Sequence, residues 1–112
     1  MENNQQLSLT TIQDEICNET GVMLYFWGEH CNVCHALQPK LFEAFEENFP
    51  AIKPITINVA KHANIAAHFG VFSIPTTIIF LDGKEFARVS RNVSIQVLVE
   101  QIQRPYEILT SN

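Results

Sequence analysis

Two stretches of the chain show no alternation between apolar and polar positions: Val22-Met23-Leu24-Tyr25-Phe26-Trp27 and Thr77-Ile78-Ile79-Phe80-Leu81. Unbroken apolar runs of strand length fit strands covered on both faces, as in the interior of an α/β sheet. Between them, Cys34, Leu37, Leu41 and Phe45 recur at helical spacing, widened by Phe42 and Phe49. Lys40, Glu43, Glu46 and Glu47 occupy the opposite side. This predicts one amphipathic helix over 32–49, about five turns long. Pro39 lies inside it, and its missing N–H and its clash with the His35 carbonyl predict a kink.

The remaining segments carry weaker signals. Residues 1–6 are polar and predicted to fray, and 7–10 read as a short edge strand. Thr10 or Thr11, with Gln13 or Asp14 three residues on, predicts a capping box for a short helix carrying Ile12 and Ile16 and ending near Thr20-Gly21. Cys17 in that helix reads as a small, partly buried filler, with a regulatory thiol as the alternative. Ile55, Ile57 and Val59 alternate with Thr56 and Asn58, a strand pattern. The alanine-rich stretch 60–69 reads as a helix stopped by Gly70. Asp82-Gly83 predicts a hairpin turn into a polar edge strand over 84–90. Ser94 caps a last helix with Ile95, Leu98, Val99 and Ile102 on one face, which Arg104-Pro105 is expected to end. The predicted class is α/β: a mixed central sheet in the order β-α-β-α-β-α-β-β-α with helices on both faces. One domain over 1–112 is expected, its core over about 7–103 and tails at 1–6 and 104–112.

Composition narrows the function. The net charge is −5 and the pI about 5.2, with no Lys/Arg cluster to neutralise phosphates, so nucleic acid is not an expected partner. The apolar runs are too short to cross a bilayer. The start of the chain lacks the basic and apolar segments of a secretory signal, which makes the cytoplasm the expected location. Three cysteines is an odd number, unsuited to a disulfide framework.

Two of those cysteines lie at the junction of the first apolar run and the long helix, in Phe26-Trp27-Gly28-Glu29-His30-Cys31-Asn32-Val33-Cys34-His35. Together with Pro39, with Ile74-Pro75-Thr76 about forty residues on, and with Asp82-Gly83 at the hairpin, this stretch resembles the thioredoxin family over roughly residues 7–103. The resemblance implies a thioredoxin fold, a cis peptide at Ile74–Pro75, and a substrate groove shaped by Trp27, Ile74 and Pro75. It implies a thiol–disulfide oxidoreductase, a reductase ahead of an oxidase or isomerase. Its partners would be disulfide-containing proteins and a reductase or other thiol donor, and the chain would act as a monomer. A thiolate is the nucleophile, and a helix N-terminus favours the thiolate through unpaired N–H groups and the dipole. Cys31 is thus the expected attacking cysteine, and Cys34, one turn on, the resolving one. No cofactor is needed, because the dithiol carries two electrons.

The chain also departs from the family pattern. Tyr25 stands where related thioredoxins commonly carry a buried acid, Thr56 where many carry its lysine partner, and His30 where a tryptophan precedes the first cysteine. Asn32-Val33 replaces Gly-Pro, and Arg91 or a neighbour replaces a groove glycine. His30 as imidazolium would stabilise the Cys31 thiolate, His35 is a candidate for proton transfer, and Glu29 for a proton relay. His62 and His68 read as surface residues. Cys31-x-x-Cys34-His35 matches a haem-attachment signature, but the motif follows a buried strand with no room for a porphyrin. A zinc site lacks a second ligand pair, so no metal is expected. The alternative to an enzyme is an interaction or chaperone module whose dithiol is a redox switch.

Overall fold

The computed structural model describes residues 7–111. Its elements are α1 (Leu9–Asn18), β1 (Gly21–Trp27), α2 (Asn32–Asn48), β2 (Ile52–Asn58), α3 (Ala63–His68), β3 (Thr76–Leu81), β4 (Lys84–Val89) and α4 (Ile95–Thr110). The sheet runs in the order β2-β1-β3-β4. β1 pairs parallel to β2 and antiparallel to β3, and β4 pairs antiparallel to β3.

The two unbroken apolar runs form the central strands, β1 and β3, because helices cover both faces of the sheet. Val22, Leu24 and Phe26 pack with Ile12 and Ile16 of α1 and Ile65 of α3. Met23 and Tyr25 turn to the other face, against Leu41, Phe45 and Phe49 of the α2 segment and Leu98 and Ile102 of α4. The period-2 pattern of a strand is present in the side-chain directions but hidden in the hydropathy, since both sets are buried. β2 is an edge strand, which lets it hold Pro54, a residue with no N–H for a central ladder.

Several boundaries differ from the sequence expectation. Residues 7–10 form no edge strand, so the sheet has four strands among the described residues. Ser8 instead caps α1, its hydroxyl accepting from the Thr11 N–H at 3.1 Å while the Thr11 hydroxyl accepts from the Ser8 N–H at 3.1 Å. This reciprocal cap starts the helix two or three residues before the predicted one. Cys17 is exposed rather than partly buried. α3 is shorter than predicted, because the buried Asn58 side chain accepts from the Ala60 and Lys61 N–H groups and holds 59–61 in a turn. Gly70, with φ of 69°, follows it.

α4 does not end at Arg104-Pro105 but runs through Pro105 to Thr110. Tyr106 is buried beyond the proline, its ring 4.9 Å from that of Phe49, and its hydroxyl accepts from the Ala51 N–H at 2.9 Å. That burial outweighs the one backbone bond a proline removes. α2 likewise continues through Pro39. Asp82 and Gly83 both have positive φ, 55° and 81°, as a two-residue hairpin requires. The expected fraying of 1–6 falls outside the described residues.

Candidate active site

β1 delivers the chain to the site and α2 carries it away. After Trp27 the backbone turns at Gly28, whose carbonyl accepts from the Cys31 N–H at 3.2 Å. Cys31 is the N-cap of α2, with extended φ −97° and ψ 100°. A cap residue offers a side-chain acceptor to the free N–H groups of the first turn, and here the acceptor is sulfur. Cys31 Sγ receives the Cys34 N–H at 3.1 Å. The two cysteines are 5.2 Å apart at Cα and form a disulfide. Cys31 is half-buried, whereas Cys34 is only 1% exposed. After reduction the Cys31 sulfur becomes the thiol or thiolate, and the same N–H and helix terminus face its charge.

The opposite wall is the loop before β3. Its Ile74–Pro75 peptide is cis, and the Thr76 hydroxyl donates to the Ser73 carbonyl at 2.7 Å. Ile74 lies directly over Gly28: a Cβ on that glycine would stand 2.6 Å from Ile74 Cδ1 and 4.0 Å from Cys31 Cβ. Gly28 thus permits the turn and the loop to meet, a role the sequence reading missed. The sole signal was a small residue between a bulky strand and the cysteines.

The flanking polar residues divide. Glu29 and His30 are exposed on the turn. His35 Nε2 donates to the Glu29 carbonyl at 2.8 Å, the only role open to a nitrogen facing a carbonyl, and its ring meets that of Trp27 at 5.8 Å. His35 thereby clamps the turn to the first coil of α2, where it is exposed and Cys34 is buried. Trp27 is half-buried beside it. His68 is exposed and within 3.3 Å of the Gln13 amide, and His62 is half-buried where α3 begins. Arg91 is exposed in the loop before α4.

Tyr25 is fully buried beneath α2, and its hydroxyl donates to the Cys34 carbonyl at 2.6 Å. Burial pushes its pKa up to about 12, so the phenol is a donor throughout the physiological range. Thr56 and Thr77 are its cross-strand neighbours. Beyond Ile74 an apolar hollow of about 360 Å³ is lined by Val59, Ala66, Val71, Phe72 and Ile74, among others, with Phe72 92% exposed at its rim. Among the described residues, no cluster of three or more His, Cys, Asp or Glu is placed to hold a metal ion.

A family model described as Thioredoxin matches residues 4–104. The chain belongs to the thioredoxin family. The thioredoxin-like protein YdfQ of Bacillus subtilis (strain 168) is 35% identical over 101 residues, spanning 90% of this chain and 89% of that protein. A thioredoxin of Pyropia yezoensis is 33% identical over 92 residues, 82% of this chain and 86% of the relative. Among solved structures, thioredoxin 1 from the thermophilic eubacterium Thermosipho africanus TCF52B matches with a TM-score of 0.70 at 31% identity, covering 80% of this chain and 99% of that one. With a bonded Cys-x-x-Cys pair at the head of α2, this thioredoxin-family protein is a thiol–disulfide oxidoreductase whose substrates are disulfide-bearing proteins. The fold brings together Trp27, Glu29, Cys31, Cys34 and His35 through direct contacts and seats Ile74 against the Gly28 turn, with Pro75 buried next to it in the chain.

Proposed function

We propose that the protein works mainly as a reductase of protein disulfides, with Cys31 as nucleophile and Cys34 as resolving thiol. The observation that carries this is the asymmetry of the pair: Cys31 is partly open at the helix terminus, and Cys34 is 1% exposed behind it. A substrate sulfur can reach Cys31 only. Cys31 as thiolate attacks one sulfur of the substrate disulfide and releases the other as a thiolate. Cys34 then attacks Cys31 Sγ, frees the second substrate thiolate and leaves the Cys31–Cys34 disulfide. Two electrons pass from the dithiol to the substrate, and a thiol donor, such as a dedicated reductase, restores the dithiol.

Trp27, Ile74 and Pro75 form the groove that admits extended substrate backbone. His30 adds positive charge beside Cys31 when protonated. His35 and the Glu29 carbonyl hold the turn, which gives His35 a positioning role, while the Glu29 carboxyl lies on the exposed turn. The sequence similarity to proteins named thioredoxin supports reduction as the main direction.

The test is turbidity of insulin reduced with dithiothreitol. The wild-type protein should shorten the lag several-fold, and Cys31→Ser should return it to the dithiothreitol-only value. Equal lags for the two proteins would overturn the reductase reading.

A further inference from the structure

The resolving step requires the buried Cys34 to lose a proton, and among the described residues no buried base stands ready to take it. The buried polar side chains among the described residues are Asn58, Thr76 and Thr77, together with the phenols of Tyr25 and Tyr106. None is a carboxylate, an amine or an imidazole. The groups around α2 agree, element by element. On β1 the residue touching Cys34 is Tyr25, and its neighbours across β2 and β3, Thr56 and Thr77, do not titrate. On α2 itself His35, Lys40 and Glu43 are exposed, with His35 turned to the Glu29 carbonyl. On α4 and the loop before it Arg91, Glu100, Arg104 and Glu107 are exposed, as are Glu29 and His30 on the turn.

We infer that Tyr25 is a positioning residue for the resolving cysteine, fixing the Cys34 peptide through its hydroxyl, and that the Cys34 proton is surrendered to hydroxide from solvent rather than to an internal base. The inference rests on the assignment of Cys34 as resolving thiol. The Cys34 S–H gives its proton to hydroxide, forming water. The sulfur's electron pair makes the bond to Cys31 Sγ, the bond from Cys31 to the substrate sulfur breaks, and the substrate leaves as a thiolate. A buried thiol ionises less readily than a free one, so its rate should climb with pH through neutrality without levelling. A buried acid in this position would instead give a plateau above its own pKa. The mixed disulfide with substrate is therefore long-lived near neutral pH, and resolution becomes the slow half of the cycle.

One equivalent of Ellman's reagent reads both halves, because Cys31 attack releases a first thionitrobenzoate and Cys34 attack a second. Cys17 is exposed and would add its own signal, so all proteins carry Cys17→Ser. The second release should speed up about tenfold per pH unit from pH 6 to 8. Tyr25→Phe should keep that slope and the first-step rate but slow the second step at least threefold at every pH, the cost of a misplaced reacting group. Tyr25→Asp should introduce a plateau and at least tenfold faster resolution at pH 7. If that variant does not fold, the first two profiles decide. A wild-type plateau below pH 7.5, whether lost or kept in Tyr25→Phe, overturns the absence of an internal base. Equal second-step rates in wild type and Tyr25→Phe overturn the positioning role. No second release at all would instead defeat the assignment of Cys34 itself, a separate failure.

Discussion

Gly28 offers room for a hydrogen and little more, because Ile74 Cδ1 occupies the place where a Cβ would sit. The atom in the way is the flexible end of a side chain, so Gly28→Ala should fold with Ile74 displaced. Overpacking of this kind costs about 1–3 kcal/mol, and a denaturant midpoint lowered accordingly, with weaker substrate use, is the expected outcome. An unchanged midpoint and activity would show that the turn and the loop are not in functional contact. Residue-scale legibility was uneven. Cys31 and Cys34 were readable because their spacing and their place between a strand and a helix are both local. Tyr25 was readable as a departure, but its bond to the Cys34 carbonyl was not, since it joins two elements. Cys17 was misjudged because a position next to a buried residue of a helix, Ile16, does not fix which way its own side chain faces.

At the scale of elements, the long-range partners decided what local rules could not. α2, β1, β3 and the Asp82-Gly83 turn were legible because burial on both faces, helical spacing and turn chemistry all agreed with the final packing. The start of α1 was missed because Ser8, Thr10 and Thr11 compete as caps, and only the reciprocal bonds distinguish them. The end of α4 was missed because a proline is a stop signal in isolation, and the burial of Tyr106 against Phe49 lies 55 residues from the Ala51 N–H it receives. Tyr106→Phe should keep the ring contact and leave that N–H unpaired, lowering unfolding free energy by about 1 kcal/mol. Truncation after Arg104 should remove the ring as well and cost about 3 kcal/mol or more. Urea denaturation of both variants checks the ranking. Full stability in the truncated chain would mean that the helix beyond Pro105 is dispensable.

At the scale of the molecule, both faces of one sheet are covered, and among the described residues the chemistry gathers where the turn before α2 meets the cis-Pro loop. The same layering buries Cys34 and leaves Cys31 half-buried at the surface, so the order of reaction proposed above would be a property of the fold as much as of either residue. A module with a passive redox switch would share the fold and this difference in exposure, and would differ in showing no catalysed turnover of disulfide substrates. The most direct measurement is to trap the intermediate. A Cys17→Ser, Cys34→Ala variant should accumulate one covalent adduct per chain when mixed with a disulfide-bearing protein such as insulin. Peptide mapping should place the adduct at Cys31, and Cys17→Ser, Cys31→Ala should form little or none. Adducts at Cys34 in that second variant, at a rate equal to those at Cys31 in the first, would contradict the account.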